Sequence, residues 1–263
     1  MPSLSEIKHL IIDMDGVLYL GDQPMPGLRE FFAFLRERSL SFILATNNST
    51  RTPQEYVDKL KCMGVTVSPS EILVSGQATA RFLAREYPRE TRVHVFGMKA
   101  LKQAMIDEGF VLADENVQLV VASMDRELTY EKLKRATILI RGGARFIATN
   151  LDPTNPSEEG LLPGTGSMIA ILETASGVKP TAVGKPEPIM YQLAMKQMGA
   201  CPATTAAIGD RVDTDILGGK RAGLITICVL SGSSGRAEAE AIGTDLIFDD
   251  IAHLLETWRH PES

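Results

Sequence analysis

The sequence contains no apolar run approaching the roughly 18 residues that span a bilayer as a helix, so no transmembrane segment is expected. Its N-terminal apolar stretch, Leu10 to Leu20, is broken by Asp13 and Asp15, which argues against a signal peptide. Cysteine is scarce. Cys62, Cys201 and Cys228 are odd in number, far apart and without C-x-x-C spacing. They read as reduced thiols of a cytoplasmic protein, each a small buried hydrophobe. An excess of positive charge is also missing. Lys and Arg number 27 against 33 Asp and Glu, a net charge of −6, which speaks against a general nucleic-acid binder. There is no low-complexity segment and no exact internal repeat.

What is present is ordinary globular usage: 263 residues, 44% hydrophobic and 23% charged. That length suits one large domain or two modest ones, with a core that needs no disulfide or structural metal. Short apolar runs alternate with helical patterns. His9 to Asp13 reads as a buried strand. Leu28, Phe31, Phe32 and Leu35 have the spacing of an amphipathic helix over Leu28 to Arg38. Ser41 to Ala45 is a second strand, and Pro53 to Met63 a helix with Thr52 as its cap and Gly64 as its stop. The pattern continues through Ile72–Val74 and Gln77–Glu86.

Polar residues at Tyr87–Glu90 break the composition. A second series follows: strands at Val93–Phe96, Leu119–Ala122 and Phe146–Ala148, and helices at Ala100–Glu108, Tyr130–Ile140 and Met168–Ala175. Ser176–Pro180 punctuates again. Helices at Ile189–Met198, Asp215–Ala222 and Ile251–Glu256 then alternate with strands at Ala206–Ile208, Leu224–Val229 and Leu246–Phe248. This is the pattern of parallel sheet covered by helices. One connection, Asn150 to Gly166 with Pro153, Pro156 and Pro163, reads as a long loop, a length often tied to function.

Four polar clusters each sit where an apolar strand has just ended, and ligands of open α/β sheets bind outside the carboxyl ends of strands. In Asp13-Met-Asp15-Gly16, alternation along an extended chain puts both carboxylates on one side. One can attack an electrophile while the other moves a proton; taken alone, the motif also fits a strand-end turn. Thr46-Asn47-Asn48-Ser49 offers hydroxyl, amide and backbone N–H groups to an anion, or caps the next helix. Lys185, before Pro186 and Pro188, presents a positive charge to a phosphate, or is a solvated turn lysine. Asp210, Asp213 and Asp215 supply the hard oxygens that Mg²⁺ prefers, or favour a helix dipole. Together they form a nucleophile, an acid/base, anion donors, a lysine and a metal-binding acid.

With those residues in that order, the sequence resembles the haloacid-dehalogenase-like hydrolases, whose D-x-D-G, Ser/Thr, Lys and G-D-x-x-x-x-D motifs correspond to Asp13/Asp15, Thr46, Lys185 and Asp210/Asp215. D-M-D-G-V-L-Y, T-N-N-S, A-T-N-x-D from Ala148 to Asp152, P-G-T-G-S, V-G-K-P-E-P and G-D-R-x-D-T-D-I narrow the likeness to the NagD-like, p-nitrophenyl phosphatase branch. It covers nearly the whole chain and is weakest from Ser233 to Gly243.

The resemblance implies an α/β fold: a Rossmann-like parallel-sheet core with helices on both faces (residues 1–86 and 179–263) and a large inserted α/β cap domain (residues 87–178) that covers the site. It implies a Mg²⁺-dependent phosphomonoesterase of small phosphorylated metabolites. Asp13 is the nucleophile, forming an aspartyl-phosphate, and Asp15 is the acid/base. Thr46 and Lys185 bind phosphate, assisted by backbone amides near Gly16 and Asn47. Mg²⁺ would be held by Asp13, the main-chain carbonyl of Asp15, and Asp210, with Asp215 supporting. Asn150, Asp152 and Arg126 are candidates for the leaving group. The partner is a small phosphate ester, with no nucleic acid or membrane, and a homodimer through the cap is a further implication. Two other readings fit the same residues. One is a non-enzymatic phosphate-binding or phosphoaspartate switch module, against which Asp15 speaks by hastening hydrolysis. The other is dehalogenase or phosphonatase chemistry; the family's dehalogenases lack the second acid, which Asp15 supplies here.

Overall fold

A computed structural model describes residues 3–157 and 159–260. The chain opens with β1 (His9–Ile12), a short hairpin of β2 (Tyr19–Leu20) and β3 (Gln23–Pro24), α1 (Leu28–Glu37), β4 (Ser41–Thr46), α2 (Pro53–Cys62) and β5 (Ile72–Val74). There follow α3 (Ser75–Glu86), β6 (Arg92–Phe96), α4 (Lys99–Asp107), β7 (Val111–Leu112), β8 (Leu119–Ala122), α5 (Tyr130–Arg141), β9 (Arg145–Ala148), β10 (Thr154–Ser157), β11 (Gly160–Pro163), α6 (Thr165–Ser176) and β12 (Thr181–Ala182). The chain closes with α7 (Ile189–Met198), β13 (Thr205–Gly209), α8 (Leu217–Arg221), β14 (Ile225–Val229), α9 (Arg236–Ala241), β15 (Leu246–Phe248) and α10 (Ile251–Arg259).

Two compact units result. The first comprises residues 1–46, 53–73 and 185–263, and the second residues 47–52 and 74–184. The longer segment of the second unit therefore runs from Val74 to Gly184, where 87–178 was expected of the cap, and residues 47–52 join it. Two contacts explain the difference. The Ser75 hydroxyl at the start of α3 donates to the Asn47 carbonyl at 2.6 Å, and β12 adds a strand beside β9.

The first unit holds a sheet in the order β15-β14-β13-β1-β4-β5. β1 pairs in parallel with β13 and β4, so His9 stands between Thr205 and Ser41. The chain runs from β1 outward through β4 and β5, then returns to the other side of β1. That reversal is a topological switch point, and the crevice beyond the carboxyl end of β1 is where ligands of such sheets bind. Leu10, Ile11 and Ile12 are fully buried, as strands covered on both faces require. On α1, Leu28, Phe31, Phe32, Phe34 and Leu35 are buried, which includes every apolar position read from the helical spacing. Phe32 meets Phe42 of β4 edge-on, with ring centroids 5.3 Å apart, an arrangement aromatic pairs prefer. Truncating such a side chain costs about 3–5 kcal/mol.

The second unit holds a sheet in the order β12-β9-β8-β6-β7, with parallel pairing throughout. Its core packs Phe96, Val120, Phe146, Ile140, Ile169 and Leu172.

The structure corrects three expectations. The connection from Asn150 to Gly166 is not structureless, because β10 and β11 form an antiparallel hairpin from Thr154↔Pro163 to Ser157↔Gly160; Glu158 lies outside the described residues. The helix expected from Asp215 begins earlier, as a wide π-type turn over Val212–Ile216 before α8. Of the three free thiols only Cys228 is buried, while Cys62 and Cys201 are exposed. Cys62 ends α2 and Cys201 precedes β13 outside any packed face. Burial pushes the Cys228 thiol up to about 12.

Candidate active site

The carboxyl ends of β1, β4 and β13 bring the first unit's polar residues together. Asp13 follows β1, Thr46 ends β4 and Asp210 follows β13. Lys185, only 4% exposed, reaches this point from the segment before α7. Its Nζ donates to Asp13 Oδ1 at 2.5 Å, to Asp215 Oδ1 at 2.6 Å and to the Ala45 carbonyl at 3.1 Å. Carboxylate oxygens of Asp13, Asp210 and Asp215 lie within 4.8 Å of one another. Thr46 is buried in the same strand that supplies the Ala45 carbonyl.

The electrostatics follow from this crowding. Burial raises the Asp13 carboxyl well above its usual range. Lys185 pulls it down, but Asp215 and Asp210 push it up again. Burial also pushes Asp210 up, to about 6, with Asp215 adding to the shift and the Ser233 amide opposing it. Burial alone would lower Lys185, but Asp13 and Asp215 outweigh it and hold the ammonium well above its usual value. Lys185 is therefore charged.

Three carboxyl groups crowd one ammonium here, so the cluster is relieved either by holding a proton or by taking up a cation. The donors are all oxygens, the set that hard divalent cations take. Asp215 is spoken for: one oxygen holds Lys185, and the other accepts the Arg211 amide at 3.1 Å. Asp13 and Asp210 are thus the carboxylates suited to a cation. Asp210 is itself aimed by its surroundings, since its Oδ2 accepts the Ser233 amide at 2.7 Å and its carbonyl accepts the Ser234 amide at 3.1 Å.

Gly16 makes room for this carboxylate. A Cβ at Gly16 would lie 2.5 Å from Asp210 Cγ, and its φ of +85° suits glycine. Backbone amides near Gly16 were expected from the D-x-D-G motif to bind phosphate. In the structure the Gly16 amide donates to the Tyr19 carbonyl at 2.9 Å, and its carbonyl accepts from Ser231 at 2.7 Å. Its contribution is space and backbone path rather than a free donor. Asp15 is half-buried, with its backbone bridged to Tyr19.

In the second unit, Asn47 anchors a separate set of contacts. Its Nδ2 donates to both oxygens of Asp152, at 3.2 and 3.0 Å, and its carbonyl accepts from buried Asn150 at 2.7 Å. Asn48 caps locally, accepting from the amide and hydroxyl of Thr50. Arg126 is exposed on a turn and is not part of the Asn47 set.

Sequence reasoning missed the Leu230–Gly235 stretch and Tyr191. The first follows β14 and supplies the Ser231 and Ser233 contacts. Its signal was a run of Ser and Gly after a buried strand, beside a glycine, Gly232, whose Cβ would strike Asp210. The buried Tyr191 hydroxyl donates to the Asp215 carbonyl at 2.9 Å, a contact no local pattern announces.

A buried lysine between two carboxylates, with a third beside them, thus stands at the switch point of the first unit's sheet. A family model for haloacid dehalogenase-like hydrolases matches residues 10–111, and a related HAD-like model matches residues 182–254. An acid sugar phosphatase of Staphylococcus saprophyticus is 37% identical over 256 residues, covering 96% of this chain and 98% of that one. The crystal structure of a 4-nitrophenylphosphatase from Thermotoga maritima superposes with a TM-score of 0.91 at 38% identity, covering 96% and 98%. NagD from E. coli K-12 does so with a TM-score of 0.88 at 35% identity, covering 94% and 97%. The chain belongs to the haloacid dehalogenase-like hydrolase family. Within it the chain is a phosphatase of the NagD-like branch, and the non-enzymatic switch reading is not retained.

Proposed function

We propose that the chain hydrolyses small phosphate monoesters through a phosphoryl group carried on Asp13. The observation that carries this reading is the buried contact of Lys185 with both Asp13 and Asp215, beside Asp210. Asp13 attacks phosphorus, the bond to the ester oxygen breaks, and Asp15 gives that oxygen a proton. An aspartyl-phosphate results. Asp15 then takes a proton from water as the water attacks phosphorus; inorganic phosphate leaves and Asp13 is restored.

Such transition states spread negative charge over three equatorial oxygens, so fixed positive charge and positioning supply most of the acceleration. Lys185 and the Thr46 hydroxyl bind those oxygens, and Asp215 keeps Lys185 in place. A Mg²⁺ ion held by Asp13, Asp210 and the Asp15 carbonyl would supply further positive charge beside the phosphoryl group. Asn150 and Asp152 act through Asn47, to which both are bonded. The substrate class extends to sugar phosphates and other small esters. A cytoplasmic location belongs to the same reading, as does a homodimer through the second unit, where Leu161, Ile138 and Ile171 are exposed.

The test is hydrolysis of p-nitrophenyl phosphate by wild type and Asp13→Asn, each with Mg²⁺ and with EDTA. Turnover by wild type with Mg²⁺ alone supports the reading. Wild-type rates from Asp13→Asn would end it.

A further inference from the structure

The second unit contains a cavity of about 280 Å³ that the phosphatase reading leaves unused. Its position has a topological reason. In the order β12-β9-β8-β6-β7 the chain leaves β6 toward β7 and returns to β8 on the opposite side. This is a second switch point, inside one unit, of the kind that opens a crevice beyond the carboxyl ends of parallel strands. The cavity is lined by Gly97, which follows β6, and Asp125, which follows β8, together with Lys102 of α4 and Lys132 of α5. Its volume is close to the lower end for sites of small organic ligands.

The charges of the lining are arranged, and only part of them is committed. Lys132 Nζ donates to Asp125 Oδ2 at 2.8 Å and to the Glu127 carbonyl at 2.9 Å. Asp125 is 2% exposed, and its other oxygen accepts the Glu127 amide at 2.9 Å. That pair is closed. Lys102 is exposed and makes no ion pair among the described residues. Among the other lining residues, His94 Nδ1 lies 2.9 Å from Asp114 Oδ1. An ionised carboxylate only accepts, so in the neutral ring Nδ1 carries the hydrogen toward Asp114, near the Ala113 backbone, and Nε2 is the ring's acceptor; the residue is one of those lining the cavity. Burial lowers the His94 pKa, against the opposing pull of Asp114, which favours the neutral ring. The lining therefore includes a cation, Lys102, and an imidazole bonded to a carboxylate, together with the apolar side chains of Leu112 and Val95.

We propose that this cavity binds a small dipolar metabolite, its anionic group paired with Lys102 and its hydroxyl or amino group donating to His94 Nε2. The site uses none of the residues assigned to phosphoryl transfer, so its failure would leave the proposed function standing.

The experiment follows the imidazole NMR signals of His94, one of four histidines in the chain, during titration with D-glycerate. Glycerate carries an anion and hydroxyl donors but no phosphate ester to hydrolyse. Glycerol and acetate, each with half of that chemistry, are the controls. Glycerate is expected to shift the His94 signals saturably, and the two controls only weakly. Lys102→Gln should weaken glycerate about tenfold, as the loss of one charged contact does. Asp13→Asn should leave its affinity unchanged. A His94 response that is absent, that acetate or glycerol reproduces at equal concentration, or that survives Lys102→Gln at full affinity overturns the proposal.

Discussion

Asp215 grips Lys185 from one side while the backbone grips Asp215 from the other: Oδ1 accepts from Nζ at 2.6 Å and Oδ2 from the Arg211 amide at 3.1 Å. A lysine on a flexible four-carbon stem becomes a fixed charge this way. Asp215→Asn is expected to lower kcat by about 10²-fold, the scale of a misplaced catalytic group. Burst and steady-state kinetics on p-nitrophenyl phosphate measure it. Unchanged kcat would show that Ala45 and Asp13 suffice to hold the lysine.

Gly16 is required for space. Gly16→Ala would place a methyl 2.5 Å from Asp210 Cγ at a φ of +85°. Gly143, at φ +100° with nothing within 4 Å of its Cβ position, is the control for strain alone. Gly143→Ala should cost about 1 kcal/mol. Gly16→Ala should cost more in thermal melts and abolish activity. Equal stability losses with retained turnover would contradict the role given to Gly16.

One surface pair sets an acid limb of stability. Arg36 on α1 bonds Glu71 bidentately, at 2.5 and 2.9 Å. Burial alone would raise Glu71, but the Arg36 hydrogen bond and the Ser68 amide lower it below its ordinary 4.5. A depressed carboxyl stabilises the fold fully above its unfolded value and loses that contribution as pH falls through the folded one. Glu71→Gln should therefore be less stable than wild type at neutral pH, by no more than about 1 kcal/mol for so exposed a pair. The difference should fade below about pH 4.5. Denaturant midpoints at several pH values report it, and a gap that widens in acid would be the wrong sign.

The fold was legible where burial is complete on both faces. β8 is an unbroken apolar run and β1 and β13 contain one, Leu10–Ile12 and Ala206–Ile208, as buried parallel strands do, and α1 shows its face through Leu28, Phe31, Phe32 and Leu35. What escaped has little apolar signal. β11 is exposed along its length, β7 has two exposed residues, and α9 buries only Ala239. Within the site, Asp13, Lys185, Asp210 and Asp215 were readable because each stands in a short local motif. The Asn47–Asp152 bond and the fit of Gly16 against Asp210 depend on residues over a hundred positions apart, and only the folded chain shows them.

The oxygen cluster makes a thermodynamic prediction that does not depend on turnover. A cation that binds only the folded chain raises stability by about 2.7 kcal/mol at a hundredfold excess over its Kd. Mg²⁺ should raise the melting temperature of wild type, and EDTA should reverse the gain. Asp210→Asn should lose most of it, while Asp125→Asn, whose carboxylate belongs to the second unit, should keep it. An Mg²⁺ shift indifferent to Asp210 would place the cation elsewhere.

The central claim is that the phosphoryl group passes through Asp13. It is tested most directly by acid-quenching the enzyme during turnover and mapping phosphorylated peptides by mass spectrometry, in wild type and in Asp15→Asn. Asp15→Asn should slow hydrolysis of the intermediate by about 10²–10⁴-fold, the worth of a general acid/base, and so accumulate it. One phosphoryl group is expected, on the peptide that contains Asp13 and at higher occupancy in Asp15→Asn. Full turnover with no labelled peptide, or a label on any other residue, would contradict it.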